Sequence, residues 1–447
     1  MRSDFEDLTE GSLWGGILRF SIPLILSNLL QILFNMSDIA VVGRFAGPLA
    51  LGALGSTTTL VVLFTGFLIG LGGGVNVLAA RFFGQKHPEE ISRAVHTSFL
   101  ICAAAGLLLT AAGEVFLKSI LLLLNTREEL LPGAVLYLRI YFLGMPALAV
   151  YNFGQAVFSA AGDTRKPLFF LLVSGILNVL LNLFFVLVLG MDVDGVATAS
   201  ILAQYMSAGC IMAALVRVKG PHVFRIRELR TDPEKARAIL MIGLPAGLQN
   251  MIFSVANLFV QFGVNSFSAS MVAGNAAAQN ADTLVYNAMA AFYTACGSYM
   301  GQNLGAGKRD RVLKSFRIST AYAFGAGLVL GVGIALAGED FLGIFTSDPE
   351  VVANGMLRLK VMGFSYAFSA FMDCTIAASR ALGHGAVPTV IVLLGSCAFR
   401  VLWVMTVFAY FHTITSLYLL YIVSWAITAF AELVYFHRIC RTMLPAV

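Results

Sequence analysis

Charge is what this sequence has least of. Only 12% of its 447 residues are Asp, Glu, Lys or Arg, about half the share of a water-soluble domain, which excludes an ordinary water-solvated surface over most of the chain. Histidine and cysteine are scarce too, at six each. The histidines form no HExxH motif and no Cys/His cluster, so no metal site built by the protein is expected. The cysteines (Cys102, Cys210, Cys296, Cys374, Cys397 and Cys440) never pair as CxxC and fall mostly in apolar runs. They read as small packing residues with free thiols. No nucleotide loop is present, since GQNLGAGKRD lacks the GxxxxGK[ST] spacing and Arg309 stands where Ser or Thr would hold magnesium. With no Ser/His/Asp signature either, an enzyme is not expected and no cofactor is called for. The polar, acidic start MRSDFEDLTEG carries no cleavable leader pattern.

What the sequence has is hydrophobic length. Apolar residues make up 58% of it, and mean hydropathy is +0.84. Twelve runs are long enough to cross hydrocarbon, centred near 15–43, 50–80, 94–118, 134–160, 167–190, 193–216, 238–266, 271–300, 315–338, 352–380, 387–410 and 414–436. Helices satisfy their own backbone in lipid, so the expected fold is all-α and multi-pass in the cell membrane, with the bilayer as solvent. With the N-terminus inside, 21 of the 29 Lys and Arg fall on the inner side and six, including Arg358, on the outer. The positive-inside rule then places both termini in the cytoplasm. The excess positive charge is therefore a topology signal, and no nucleic-acid partner is expected. The basic stretch RVKGPHVFRIRELR reads as a connector, with contact to anionic lipid a secondary role.

The connector separates two similar halves. Ile22–Asn35 (IPLILSNLLQILFN) lies over Leu244–Asn257 (LPAGLQNMIFSVAN), matching Pro23 to Pro245, Asn28 to Asn250 and Asn35 to Asn257 at a shift of 222. Gly84–Gln85 then matches Gly301–Gln302, and Gly162 and Pro167 match Gly383 and Pro388. The expected domains are 1–216, a connector 217–237, and 238–447. Six spans per half, an even number, make the halves parallel repeats with a substrate between them near the midplane.

Polar residues recur at helical spacing inside the apolar runs. Asn28, Gln31, Asn35 and Asp38 share one face. Asn152, Gln155 and Ser159 form a second stripe, Ser174, Asn178 and Asn182 a third, with Thr198 in the next span. In the second half come Asn250, Ser254, Asn257 and Gln261, then Asn275, Gln279, Asp282 and Tyr286, then Ser365, Ser369 and Asp373. Such groups also glue helices together in lipid, but stripes on so many spans, mirrored between halves, point to a polar-lined cavity. A carboxylate in a span is expensive and faces a bundle interior or water. Asp38 is accordingly assigned the handling of a driving ion, H⁺ or Na⁺. Arg400, inside GSCAFRVLWVM, needs a partner, for which Asp282 and Asp373 are the candidates in the same half; the cluster is either a fixed ion pair or a switch. Glu114 and Glu432, nearer span ends, are expected to reach the interface. The glycines of LIGLGGGVN (Leu68–Asn76) read as close-packing or hinge positions.

These residues resemble a known family. The proline-led first span ending in D-x-x-x-VG (Asp38 to Gly43), the paired GQ motifs, QNLGAGK at Gln302–Lys308 and the R-x-LG…P run at Arg380–Pro388 are similar to the MATE multidrug and toxic-compound extrusion transporters, DinF-like branch, over essentially the whole chain. The resemblance implies two six-helix lobes forming a V, alternating access, and export of organic cations or amphipathic compounds in exchange for H⁺ or Na⁺, the chain working as a monomer. Carried over residue by residue, the family's first-lobe cation site falls on Asp38, Asn178, Asn182 and Thr198, with Gln31, Asn35, Asn152 and Gln155 in the substrate cavity. Where the branch pattern reads Asn-x-x-x-Asp, this chain reads NVLLN, so Asn182 replaces a carboxylate. Asp373 matches the second-lobe carboxylate of the NorM-like branch. The competing expectation is a flippase of lipid-linked precursors, a superfamily relative. It calls for a cationic patch in the cavity, for which the spans offer Arg19 and Arg400.

Overall fold

The computed structural model describes residues 5–124 and 126–443; Arg2, counted among the inner charges, lies outside them. Every regular element among the described residues is helical. In chain order these are α1 (Leu13–Ala46), α2 (Pro48–Gln85), α3 (Pro88–Leu123), α4 (Leu131–Leu143), α5 (Met145–Ala160), α6 (Arg165–Val188) and α7 (Val193–Arg217). A connector with one 3₁₀ turn follows. Then come α8 (Pro233–Val264), α9 (Ala269–Gly305), α10 (Arg309–Leu336), the short α11 (Gly338–Gly343), α12 (Pro349–Ala381), α13 (Ala386–Phe411) and α14 (Ile414–Met443).

Local chemistry sets the ends. Gly47, at φ +89°, turns the chain into Pro48 at the first position of α2, and Lys86 closes that helix in the left-handed region. Asp348 accepts the Glu350 amide at 2.9 Å and Ser268 accepts that of Met271 at 3.3 Å, capping α12 and α9. Among the described residues, ten helices are long and apolar enough to cross a membrane, and the α4/α5 pair, bent by 45°, makes an eleventh span. The twelfth expected span is α9, 37 residues long. Its Asn275, Gln279, Asn280 and Asp282 dilute its hydropathy. The all-helical, two-repeat architecture is the one expected.

Contacts divide the chain into two units. Unit 1 comprises Met1–Asp7 and Leu26–Leu248, and unit 2 comprises Leu8–Ile25 and Gln249–Val447. This partition differs from the expected boundaries 1–216 and 238–447. The first part of α1 packs with unit 2, and the first part of α8 packs with unit 1. Each crossover follows a proline inside the helix, Pro23 or Pro245. Proline lacks the N–H that would bond the preceding turn, so a helix is weakest in bending there.

In unit 1, α2 and α5 pack centrally against α3, α4 and α7, while α6 pairs with α7. In unit 2, α9, α10 and α12 form the corresponding core, with α14 against α12. The glycines of α2 serve close packing. A Cβ on Gly70 would lie 2.4 Å from the Gly247 nitrogen and one on Gly74 2.7 Å from the Gly243 Cα, so two GxxxG faces cross within unit 1. The GQNLGAGK segment anchors the chain start. Gln302 accepts the Leu8 amide at 3.0 Å, and Lys308 Nζ donates to the Thr9 carbonyl at 2.8 Å. Arg311 donates to the carbonyls of Gly11 and Glu10 at 3.0 and 3.1 Å. The connector is also fastened. His96 Nε2 accepts the Arg225 amide at 3.0 Å, Thr97 accepts that of Asp232 at 3.0 Å, and Lys235 pairs with Glu90 at 2.6 Å. Asp163 caps α6 by accepting the amides of Arg165 and Lys166.

Candidate functional site

Asp38 lies near the end of α1 in unit 1 and is only 8% exposed. Its carboxylate is held at both oxygens. Asn182 of α6 donates through Nδ2 to Oδ1, and Ser200 of α7 donates to Oδ2 at 3.1 Å. Asn178, one turn before Asn182, closes the ring. It donates to Ser200 Oγ at 3.4 Å and accepts from Asn182 Nδ2 at 3.4 Å. The one-turn spacing puts both amides on one face of α6, and the close pairing of α6 with α7 brings Ser200 to them.

Three of the four expected cation residues, Asp38, Asn178 and Asn182, therefore meet. The fourth does not take part: Thr198 Oγ1 donates to the Asp194 carbonyl at 2.7 Å, one turn back on α7. Ser200 stands in its place. Residues two apart point to nearly opposite sides of a helix, so the two hydroxyls cannot share this role. Tyr137 and Tyr141 of α4, stacked with ring centroids 5.8 Å apart, both sense the Asp38 charge. Their four-residue spacing in YLRIY was the signal in the sequence for this face.

The donor set suits a small cation. Asn182 Oδ1 is buried and has no hydrogen-bond partner among the described residues, and it lies on the side chain already bound to Asp38. One carboxylate, two amide oxygens and a hydroxyl are hard oxygen ligands. The same carboxylate can instead hold a proton. The cavity candidates differ in setting: Gln31, Asn152 and Gln155 are half-buried, and Asn35 is exposed. Asn152 Nδ2 is buried without a partner.

Unit 2 departs from the expected pairing of Arg400 with Asp282 or Asp373. Asp282 of α9 is paired instead with Arg358 of α12 and accepts a hydrogen bond from Tyr366. Arg358, counted among the outer-side charges, is 1% exposed. It also donates to Asn275 Oδ1 at 2.9 Å and lies over the rings of Tyr418 and Tyr421. Arg400 of α13 donates to Asn257 Oδ1 at 2.6 Å and lies over Phe253 at 4.5 Å and Tyr421 at 4.8 Å. An amide and two ring faces replace the expected carboxylate. Asp373 of α12 feels Arg380 and Arg400 through space, and its Oδ2 has no hydrogen-bond partner among the described residues. Glu432, expected at the interface, is 0% exposed. The expected cluster of Asp282, Asp373 and Arg400 is thus two arrangements rather than one.

Two homologous helical halves, with a carboxylate enclosed by amides in the first, define a two-repeat, multi-pass membrane protein. The MatE family model matches the chain twice, over residues 23–184 and 245–406, at the same shift that aligns Pro23 with Pro245. The chain belongs to the MatE (MATE) family of transporters. The probable multidrug resistance protein YpnP of Bacillus subtilis (strain 168) is 31% identical over 363 residues, covering 81% of each chain. DNA damage-inducible protein F of Escherichia coli (strain K12) is 24% identical over 355 residues, 78% of this chain and 75% of its own. A solved multidrug resistance MATE family transporter in an outward-facing conformation shares the fold, with a TM-score of 0.90, 20% identity and 98% coverage of each chain.

Proposed function

We propose that this protein is a multidrug efflux antiporter that exports organic cations or amphipathic compounds in exchange for H⁺ or Na⁺ by alternating access. The observation that carries this reading is the enclosure of Asp38 by Asn182 and Ser200. The two sequence repeats (residues 1–216 and 238–447), which exchange the first parts of α1 and α8 between the packed units, are joined by the connector 217–237; both termini lie in the cytoplasm, and the chain acts as a monomer.

Ionised Asp38 accepts from Asn182 and Ser200 and attracts either a cation or a cationic substrate. When it takes a proton, one oxygen becomes a donor, and the ring of amides around it must rearrange. Exchange then follows because ion and substrate favour different states of one site, the requirement for any coupling. Gln31, Asn35, Asn152 and Gln155 give the substrate cavity its polar wall. The flippase reading is left with little of its cationic patch: Arg400 is 1% exposed, and Arg19, exposed on α1, is a single cation.

The test is dye efflux from proteoliposomes under an imposed pH gradient and, separately, an imposed Na⁺ gradient, comparing wild type with Asp38→Asn. The expected result is efflux driven by one gradient, which names the ion, and its loss in the variant. Undiminished coupling in Asp38→Asn would remove Asp38 from the mechanism. No efflux of cationic dyes under either gradient would remove the drug-export reading.

A further inference from the structure

Glu432 of α14 is the acid that the mechanism above leaves unused. It is 0% exposed, against 8% for Asp38, and neither of its oxygens has a hydrogen-bond partner among the described residues. The charged and titratable groups facing it come from three directions. Asp373 and Arg380 act on it from α12. On its own helix Tyr435 feels its charge, and the Tyr435 hydroxyl meets His384 Nδ1 at 3.2 Å. Further out, Tyr286 and Tyr293 of α9 and Arg400 of α13 act on Asp373. Arg380 is the cation nearest in role, but its guanidinium is engaged elsewhere. Nη2 donates to Gln249 Oε1 at 2.8 Å and to Thr389 Oγ1 at 3.5 Å, while Nε has no acceptor among the described residues. A carboxylate enclosed without a donor is neutralised by a proton rather than left charged.

Gln249 is not a neutral choice of partner. It is the residue at which α8 passes into unit 2, four positions after Pro245. A bend of α8 at that point displaces the acceptor that holds Arg380. We propose that Glu432 is a proton-carrying site of unit 2, gated by Arg380. The carboxyl group keeps its proton while Arg380 donates to Gln249. When α8 moves, the guanidinium turns to Glu432, the carboxyl O–H bond breaks, the proton passes to water, and the carboxylate accepts N–H donation from Arg380. The site is separate from Asp38 and holds whether or not Asp38 couples.

The test is infrared difference spectroscopy of the purified protein in lipid nanodiscs, titrated from mildly acid to alkaline pH in water and in heavy water. It needs neither substrate nor gradient. The expected result is a neutral-carboxyl C=O band, shifted by deuteration, that is lost in Glu432→Gln, displaced in Glu432→Asp and kept in Asp38→Asn. In Arg380→Gln the band should persist to more alkaline pH, because the replacement partner is gone. Superimposable spectra of wild type and Glu432→Gln, with both folded by their thermal transitions, would overturn the proposal. So would an Arg380→Gln titration identical to that of wild type.

Discussion

Ser200 and Thr198 stand two positions apart on α7, yet only Ser200 gives its hydroxyl to Asp38. A hydrogen bond to a charged group contributes about 1.5–3 kcal/mol, which is roughly tenfold or more in an equilibrium. Ser200→Ala should therefore shift the Na⁺ or H⁺ concentration for half-maximal transport by about tenfold, which for H⁺ is about one pH unit. Thr198→Ala should leave it within about twofold, since its bond is to backbone. An equal effect of both would return Thr198 to the site. The pair of buried Arg358 and half-buried Asp282 in unit 2 is open to a stability test. Removing one partner of a buried ion pair costs about 3–5 kcal/mol, so Asp282→Asn should markedly lower the thermal transition in detergent by stranding Arg358. Asp282→Asn with Arg358→Met should recover much of that loss, because no unpaired charge then remains. The burial of Arg358 and of Glu432 was not legible in the sequence for one reason. Proximity to a span end does not reveal whether a helix face meets water or another helix. Asn257 was visible in its polar stripe; what the stripe could not show was that its partner is Arg400 on α13.

At the scale of elements, the helices themselves were legible because apolar length and proline or glycine at the ends are local properties. The α4/α5 pair shows the limit: one expected span, 134–160, is two helices meeting at Gly144 and Met145 with a 45° bend. The repeat was legible through Pro23 and Pro245, but the exchange of helix halves between units was not, since packing partners across hundreds of residues leave no mark on hydropathy. The crossing of α2 with α8 gives a direct check. Gly74→Val places side-chain carbon where the Gly243 Cα lies 2.7 Å from an added Cβ, whereas Gly73 has nothing within 4 Å. Backbone cannot yield as a flexible side chain can, so Gly74→Val should sharply lower the yield of monodisperse protein and its thermal transition. Gly73→Ala should change neither. If Gly74→Val is tolerated, the two helices do not approach as closely as the glycines allow.

For the whole molecule, charge balance decides what can drive export. One proton exchanged for one monovalent cation moves no net charge, so a membrane potential contributes nothing and only the pH difference acts. A second proton, on Glu432, makes the same exchange carry one net charge. Each 100 mV then supplies about 2.3 kcal/mol, which corresponds to about a 50-fold concentration ratio. Proteoliposomes clamped with potassium and valinomycin, at equal pH on both sides, separate these cases. The wild type should build a gradient of a monovalent cationic dye that grows with the imposed potential. Glu432→Gln, left with Asp38 alone, should retain exchange driven by a pH difference and lose the response to voltage. Asp38→Asn should lose exchange under either force. A voltage response that survives in Glu432→Gln would mean that the second charge enters elsewhere in the molecule, and a wild type indifferent to voltage would mean that Asp38 exchanges its single ion alone.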